Sequence, residues 1–281
     1  MKYLIPFALI CLLFTQSLWS QRAKIMTYNI RLDTPSDGEN SWDFRKNALI
    51  KQITLNKVDV FGVQEALPNQ VAFVDSVLIN YNYVGVGRDD GKNKGEYSAI
   101  FFNKIKYNLL TQNTFWLSES SEIPSKGWDA AYFRVCTYAL LSDKKTNRKF
   151  WVFNTHFDHI GDVAREQSSK LILQKIKELN TDKLPVILMG DFNLTEETDV
   201  IKYIDSYLKD SKIISKSKVI DTLGTFNGFD ISKNSTDRID FIFVSENAIK
   251  VKKYKVLRET YNNKYPSDHF PVLVHLMFKK M

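Results

Sequence analysis

Cysteine is scarce in this sequence of 281 residues, which contains only Cys11 and Cys136. Two cysteines, one of them close to the N-terminus, cannot build the disulfide framework of a small secreted domain. The same scarcity argues against a zinc site held by several thiolates. Cys136 lies within an apolar run, so we expect a buried thiol without a disulfide partner.

Long apolar runs are also missing after the first twenty residues. The segment from Leu4 to Leu18 is mostly apolar, follows the positively charged Lys2, and is too short to cross a bilayer comfortably. This pattern predicts a secretory signal peptide over residues 1–20, cleaved near Ser20, and therefore a secreted or periplasmic protein. An uncleaved N-terminal anchor is the alternative. No later run approaches the ~20 apolar residues of a membrane helix, so we expect no stable membrane insertion of the remaining chain.

Internal repeats, low-complexity tracts and Pro/Gly-rich linkers are absent as well, which predicts a single domain over residues 21–281. The formal net charge is +7, but the basic residues form only short pairs such as Lys144-Lys145 and Lys252-Lys253. A modestly basic surface favours phosphate-bearing partners in general and does not single out nucleic acid. Nothing in the composition implies an obligate protein partner.

The periodicity of apolar residues predicts more strands than helices. Helical spacing is found over Asp43–Asn56, Asn69–Ile79, Asp162–Asn180 and Glu197–Leu208, and Asp162 is expected to be the N-cap of the third helix. Strands are predicted at Lys24–Arg31, Val58–Gln64, Tyr83–Gly87, Tyr97–Asn103, Tyr107–Phe115, Arg134–Ser142, Phe150–His156, Pro185–Met189, Arg238–Val244, Lys250–Arg258 and His269–Met277. Many neighbouring strands are joined by short turns, which favours an α/β (α+β) fold of two mostly antiparallel sheets packed face to face, with helices outside.

Polar side chains recur where these apolar strands begin or end. They are Asn29, Glu65, His156, Asp158, Asp191, Asn193, Asp237, Asp240, Asp268 and His269. One polar residue after a strand is usually a turn residue or a helix cap. Six separate insertions are harder to explain in that way, and side-by-side strands would bring them to one rim, where the sites of sheet-based enzymes are found.

The chemistry of this rim indicates a hard metal ion. Clustered carboxylates destabilise a fold unless a cation or a proton offsets their charge. Carboxylate and amide oxygens suit Mg²⁺ or Mn²⁺. Zinc is disfavoured because His156 and His159 form the only closely spaced pair of histidines.

The motifs that carry these residues resemble those of the endonuclease/exonuclease/phosphatase superfamily. That group includes deoxyribonucleases, apurinic endonucleases, deadenylases, inositol polyphosphate phosphatases and neutral sphingomyelinases. In family order, the matching strings are MTYNIR at 26–31, VQEA at 63–66, NTHFDH at 154–159, GDFN at 190–193, DRIDFIFVS at 237–245 and SDHFPV at 267–272. The resemblance covers nearly all of the chain after the signal peptide and implies a four-layer α/β/β/α sandwich.

The resemblance also implies roles for the acidic side chains. Glu65 is similar to the principal metal-binding carboxylate, with Asn29 beside it and Asp268 as a further carboxylate near the ion. Asp191 and Asn193 resemble the pair that positions the attacking water and a phosphate oxygen.

Histidine and arginine positions receive roles in the same way. His269 resembles the histidine that contacts or protonates the phosphoryl group, and Asp240 resembles the carboxylate that orients its imidazole. His156 is similar to a second phosphate-contacting residue. Arg134 and Asp158 correspond to contacts on the phosphate side or just behind it.

The implied activity is hydrolysis of a phosphoester with Mg²⁺ or Mn²⁺. The first hypothesis is a phosphodiester of nucleic acid or of a phosphate-linked glycan or glycerol backbone, because NTHFDH leans toward the deadenylase and sphingomyelinase branches. A phosphomonoesterase acting on sugar or inositol phosphates is the alternative; the inositol branch is disfavoured because Ser235-Thr236 replaces its usual Trp-Cys before Asp-Arg. A sphingomyelinase-like lipid phosphodiesterase and a catalytically silent binding module complete the set.

Three long polar loops adjoin the motif-bearing strands, at Gly87–Glu96, Ser118–Ala131 and Thr222–Thr236. Loops of that length often carry recognition. Arg88, Lys92, Lys94 and Lys126 lie in them and are candidates for contacts with an anionic substrate. The aromatic residues between Phe115 and Phe133 are expected to pack in the core or within loops.

Overall fold

The fold is that of a computed structural model, which describes residues 21–217 and 224–279. The predicted signal peptide and the start of the third loop, Thr222, lie outside the described residues. Within them, no helix has the length and apolar character needed to span a bilayer.

Twelve strands and four α-helices are found in this part of the chain. The strands are β1 (Arg22–Asn29), β2 (Val60–Gln64), β3 (Tyr81–Val84), β4 (Ile100–Asn103), β5 (Tyr107–Trp116), β6 (Val135–Asp143), β7 (Lys149–His156), β8 (Val186–Asp191), β9 (Lys209–Asp210), β10 (Asp240–Val244), β11 (Ile249–Val256) and β12 (Val272–Phe278). The helices are α1 (Trp42–Asn56), α2 (Pro68–Val77), α3 (Asp162–Leu179) and α4 (Asp199–Tyr207), with a 3-10 helix at Pro35–Asn40.

The strands form two six-stranded sheets. One has the order β11-β12-β1-β2-β4-β3, and the other has the order β5-β6-β7-β8-β10-β9. In each sheet the central pair, β1 with β2 or β7 with β8, is parallel, and the other neighbours are antiparallel. The prediction of two mostly antiparallel sheets is confirmed.

Apolar side chains build three cores that hold four layers together. The middle core lies between the sheets and includes Ile25 of β1 and Met189 of β8. The second joins α1 and α2 to the first sheet, and the third joins α3 and α4 to the second sheet. The α/β/β/α sandwich follows because each strand alternates its side chains between two cores.

Two details of the sequence prediction are wrong. Asp162 is the first residue of α3, and Gly161 is its N-cap. The capping acceptor comes from a distant loop, because the carboxylate of Asp129 accepts hydrogen bonds from the N–H groups of Val163 and Ala164. The last strand begins at Val272, so Asp268 and His269 lie in the loop before it rather than at its start.

Candidate active site

Alternation along the central strands points polar side chains into the space between the sheets. On β1, Ile25 belongs to the middle core, so Asn29 at the end of the strand faces the same space. On β8, Met189 belongs to that core, and Asp191 follows it on the same face. The two parallel pairs end at the same rim, which brings together residues that are far apart in the sequence.

Asp191 lies at the centre of this group. In strand register it faces His156 of β7 on one side and Asp240 of β10 on the other. Its Oδ1 accepts a hydrogen bond from the N–H of Asn193 at 2.9 Å, and its Oδ2 accepts one from Asn29 Nδ2 at 2.9 Å. Burial and the neighbouring charge of Asp240 raise the pKa of Asp191 to about 7. A carboxyl group with this pKa exchanges a proton near neutral pH.

His269 and Asp240 form a buried pair. The Nδ1 of His269 donates to Asp240 Oδ2 at 2.9 Å, and its Nε2 lies 3.8 Å from Asp191 Oδ2. The hydroxyl of Thr225 accepts the N–H of Asp240 at 3.1 Å and holds that strand end in place. Burial opposes a charged imidazole, but the carboxylates of Asp240 and Asp191 outweigh it and raise the pKa of His269 well above its usual value. The ring is therefore an imidazolium at neutral pH.

Glu65 and Asp268 form a second acidic group on the side of the first sheet. Arg31 lies between them, with its Nη1 3.8 Å from Glu65 Oε2 and its Nε 3.8 Å from Asp268 Oδ2. The close hydrogen bonds of that guanidinium go to Asp37, at 3.0 and 2.9 Å. Burial and the charge of Glu65 raise the pKa of Asp268. Arg31 thus offsets only part of the negative charge of Glu65 and Asp268, and carboxylate oxygens in this situation fit a hard divalent cation.

Asn29 connects the two acidic groups. Its Nδ2 donates to Glu65 Oε1 at 3.0 Å and to Asp191 Oδ2 at 2.9 Å. Its amide oxygen, the atom that would bind a cation, accepts the N–H of Arg31 at 3.0 Å. In this arrangement Asn29 holds both carboxylates; its role as a metal ligand stays a prediction, because its amide oxygen has a second lone pair.

The buried group around Asp191 is a second position where ligand atoms lie close enough together for a cation. One atom each from Asp191, Asp240 and His269 lie within 4.8 Å of one another, and all three residues are buried. The Nδ1 of His269 is engaged by Asp240 in a hydrogen bond. This group and the Glu65–Asp268 group are therefore distinct places for positive charge, and the Asp191–Asp240–His269 group already contains the imidazolium of His269.

His156 and Asn193 complete the side that faces Asp191. The Nδ2 of Asn193 donates to the carbonyl of Phe157 at 2.9 Å, which fixes the orientation of the amide, and it lies 3.1 Å from His156 Nε2. His156 Nε2 thus accepts, and the ring proton lies on Nδ1, which has no hydrogen-bond partner among the described residues. Burial and the charges of Arg134 and Arg88 lower the pKa of His156, so the ring is neutral.

The remaining predicted residues lie behind this group or outside it. Arg134 is buried and donates from Nε to Asp158 Oδ2 at 3.2 Å, and its Nη2 lies 3.2 Å from His159 Nδ1. Asp158 also accepts the N–H groups of Ile160 and Gly161, which shapes the loop before α3. Asp237 is exposed and does not join the site.

The floor of the site contains a polar bridge that the sequence analysis did not identify. Gln64 donates to Thr27 Oγ1 at 3.0 Å and to Asn154 Oδ1 at 2.6 Å. Asn154 of β7 in turn donates to the carbonyls of Val63 and Ala99 in the other sheet, both at 2.9 Å. The signal was present, because Gln64 and Asn154 are polar residues inside otherwise apolar strands and must find partners when buried.

Two further residues beside the site were also missed. Arg31 was part of a quoted motif, but its contacts with Asp37, Glu65 and Asp268 come from three separate segments. Phe226 lies edge-on against His269 with ring centroids 5.1 Å apart and is 41% exposed. The hydroxyl of Thr225, the residue before Phe226, accepts a hydrogen bond from the N–H of Asp240. Apolar periodicity does not predict a loop contact of this kind.

Comparison with known proteins identifies relatives over nearly the whole described chain. The sequence model of the endonuclease/exonuclease/phosphatase family matches residues 26–269. A crystal structure of a member of that family from Bacteroides thetaiotaomicron is 38% identical, with a TM-score of 0.88 over 93% of this chain and 100% of that one.

Several relatives have names that state an activity. A mannosyl-6-phosphatase from Bacteroides thetaiotaomicron VPI-5482 is 39% identical, with a TM-score of 0.87 over 90% of this chain and 99% of that one. The CCR4-Not complex 3'-5'-exoribonuclease subunit Ccr4 of Saccharomyces cerevisiae is 22% identical over 85% of this chain and 36% of its own length. This chain thus spans about a third of the Ccr4 subunit that it matches.

Proposed function

Because this chain belongs to the endonuclease/exonuclease/phosphatase family of phosphoester-hydrolysing enzymes, we propose that it hydrolyses a phosphomonoester of a sugar with the help of Mg²⁺ or Mn²⁺. The observation that carries the reaction type is the meeting of Asp191, His269 and the Glu65–Asp268 group at one rim between the sheets. The substrate class is supported by the similarity to the mannosyl-6-phosphatase, at 39% identity over nearly the full length of both chains.

Glu65 and Asp268 are the side chains that we propose to hold the ion. They offer carboxylate oxygens, and Arg31, the positive residue between them, has its close hydrogen bonds with Asp37. When bound there, a divalent cation supplies charge neutralisation at the phosphoryl oxygens and at the leaving oxygen. Asn29 keeps Glu65 in place by donating to it.

Asp191 is proposed as the general base. Its raised pKa lies near neutral pH, where a carboxylate both accepts a proton from water and remains ionised often enough to act. Asn193 and Asn29 occupy one lone pair of each carboxylate oxygen and fix the direction of the remaining ones. The attacking water would be positioned within hydrogen-bond reach of Asp191 and in line with the phosphorus.

His269 is proposed to stabilise the charge that develops on the phosphoryl oxygens. Asp240 holds the ring by its Nδ1, which leaves Nε2–H to donate toward the reacting group. His156, neutral and protonated on Nδ1, would donate to another phosphoryl oxygen, and Asn193 fixes that tautomer. Arg134 lies behind His156, and its charge helps to keep that ring neutral.

Hydrolysis of a phosphodiester is the second candidate and was the first hypothesis from the sequence. It is supported by the similarity to the exoribonuclease subunit Ccr4, although the identity is only 22%. The same base, imidazolium and ion ligands serve either reaction. The two candidates therefore differ in the groups esterified to the phosphate, and only assays with both substrate classes separate them.

A panel of substrates tests the proposal. The purified protein would be given mannose 6-phosphate, glucose 6-phosphate, bis-nitrophenyl phosphate and single-stranded RNA, each with Mg²⁺, Mn²⁺ or a chelator. We expect the highest kcat/KM on a hexose phosphate and no turnover with the chelator. A preference for RNA that falls steeply with salt would favour the diesterase instead.

Secretion and the single-domain organisation are also proposals. They rest on the apolar segment of residues 1–20 and on the absence of a linker composition in residues 21–281. Mass spectrometry of the protein recovered from the periplasm or medium would reveal a new N-terminus near Gln21. Recovery of the protein only with its first twenty residues attached would contradict the signal peptide.

A further inference from the structure

A group of polar and aromatic side chains lies directly beside the phosphoryl-binding side of the site. The Oε2 of Glu96 is 3.9 Å from His156 Nδ1 and accepts a hydrogen bond from Arg88 Nη1 at 2.7 Å. The guanidinium carbons of Arg88 and Arg134 lie 5.3 and 5.9 Å from the ring centre of Tyr132. We call Arg88, Glu96, Tyr132 and Arg134 the arginine subsite.

Both arginines are buried but incompletely satisfied. Arg88 is 9% exposed and Arg134 is 5% exposed. The Nε of Arg88 and the Nη1 of Arg134 have no hydrogen-bond partner among the described residues. A buried N–H without a partner destabilises the fold, and one attached to a charged group does so more strongly. Both guanidinium groups lie against the ring of Tyr132, so one polar ligand at this place would complete the hydrogen bonding of both.

The charge of the arginine subsite selects the kind of ligand. Arg88 is paired with Glu96, and Arg134 is paired with Asp158 at 3.2 Å. Each positive charge thus has a negative partner, and little net charge remains to attract a second phosphate. A polynucleotide or a polyphosphate needs uncompensated positive charge along its path. Neutral hydroxyl groups fit better, because they accept from the free N–H groups and donate to the carboxylate.

Tyr132 adds an apolar face to this polar group. Its side chain is 54% exposed although its ring is held in place. The ring lies nearly parallel to that of His159, with centroids 5.8 Å apart and an angle of 18°, and the two guanidinium groups lie close to it. An exposed ring with few degrees of freedom offers contact area at a low entropic cost. The sequence predicted core or loop packing for this ring; it packs against His159, and more than half of the residue stays exposed.

We propose that the arginine subsite binds the sugar ring of the substrate. The hydroxyl groups of a hexose would contact Arg88, Glu96 and Arg134, and the C–H face of its ring would lie on Tyr132. This assignment rests on the proposed function, because it requires that the group leaving the phosphorus is a sugar. It makes Arg88 and Tyr132 specificity-determining residues that act on substrate binding.

Steady-state kinetics with two variants test the subsite. Tyr132→Ala removes the exposed ring, and Arg88→Gln removes the buried charge; Tyr207→Ala, an exposed tyrosine on α4, is the matched control. We expect the KM for mannose 6-phosphate to rise at least about tenfold in Tyr132→Ala and in Arg88→Gln, the usual scale for losing a hydrogen bond to a charged group or a ring contact in a binding site. Inhibition by inorganic phosphate reports on the phosphoryl site alone, so its Ki is expected to change much less than the KM.

Three other outcomes would contradict the subsite or the proposed function. An unchanged KM in Tyr132→Ala overturns the subsite, and this exposed position keeps the test valid if Arg88→Gln fails to fold. Equal increases in KM and in the Ki of phosphate would mean that the residues only support the phosphoryl site. If the wild-type protein releases no phosphate from either hexose phosphate, the proposed function fails, and the sugar assignment fails with it.

Discussion

Asp191 and His269 illustrate how single residues acquire their chemistry from buried neighbours. Each is an ordinary side chain whose pKa is moved by burial, by the carboxylate of Asp240 and by the charge of the other member of the pair. Both pKa values are raised, so that the carboxyl group titrates near neutrality while the imidazole stays charged. Groups whose pKa values are shifted by specific neighbours are the usual acids and bases of enzymes.

Replacing Asp191 with Asn tests the general base. Asparagine keeps the shape and the hydrogen-bond acceptor but cannot take a proton from water, so we expect kcat on the best substrate to fall by at least about 10²-fold. The kcat of His269→Ala is expected to fall by a similar factor. Asp199→Asn, at an exposed position in the first turn of α4, is the control and should leave kcat unchanged. Near-normal rates in both site variants, with an intact fold, would refute the assignment.

Replacing Glu65 with Gln tests the proposed ion site. Loss of one carboxylate charge should raise the Mg²⁺ concentration for half-maximal activity by at least about tenfold. Titration of activity with Mg²⁺ and Mn²⁺ measures this change, and Glu197→Gln on the exposed surface serves as the control. An unchanged metal requirement would count against Glu65 as a ligand.

At the scale of strands and helices, the sequence predicted most elements but not their ends. The strand at Lys24–Arg31 was expected to continue to Arg31, but β1 stops at Asn29 and Arg31 adopts a left-handed φ of 55°. Glu65 and Asn193 also follow strands with positive φ values of 59° and 51°. Such backbone conformations are uncommon outside glycine and are found at functional sites. Periodicity cannot predict them, because it reports which face is buried and not where the chain turns.

Contacts between distant elements were predicted from the sequence only in part. The residues that end apolar strands were predicted to meet, and Asn29, Asp191, Asp240 and His269 do so. The capping of α3 by Asp129 was not predictable, because no local pattern connects a loop carboxylate to a helix that begins 33 residues later.

Gly62 of β2 provides a test of the bridge between the sheets. A Cβ at this position would lie 2.5 Å from the side chain of Asn154, which crosses from the other sheet. We expect Gly62→Ala to lower the free energy of unfolding by about 1–3 kcal/mol, the usual effect of overpacking a core. Denaturant unfolding measures the loss. The same substitution in an Asn154→Ala background should be milder, and equal losses in both backgrounds would argue against this contact.

At the scale of the whole molecule, the site exists only because two similar sheets face each other. Each sheet contributes the ends of its parallel pair, Asn29 and Glu65 from one and His156 and Asp191 from the other. The carboxylates that we propose to bind the ion and the proposed general base therefore come from opposite sides of one interface. A change that loosens the packing between the sheets should lower activity before it unfolds the protein.

His156 and His269 contribute in opposite senses to the pH dependence of the free energy of unfolding. Burial and two arginines lower the pKa of His156 in the folded protein, whereas the unfolded chain titrates near the ordinary pKa of ~6.5. Below that pH the unfolded state binds more protons, so this residue destabilises the fold as the pH falls from ~7 to ~5. His269, with its raised pKa, contributes in the opposite sense, because its stabilisation is complete below ~6.5 and is lost as the pH rises through the folded value.

A comparison with His156→Gln isolates this effect. Unfolding free energies would be measured from pH 5 to 8 with a chelator present. Between pH 5 and 6.5 the wild type should lose up to ~1.4 kcal/mol per pH unit more than the variant, which is the limit for one proton. Parallel curves would mean that His156 is not held neutral in the fold.

Diffraction at the manganese absorption edge, from crystals soaked with Mn²⁺ and phosphate, tests the central claim most directly. We expect an anomalous peak bound by the carboxylates of Glu65 and Asp268, with phosphate oxygens reaching His156 and His269. A peak held by Asp191, Asp240 and His269 alone, or no ordered ion near any of these residues, would contradict it.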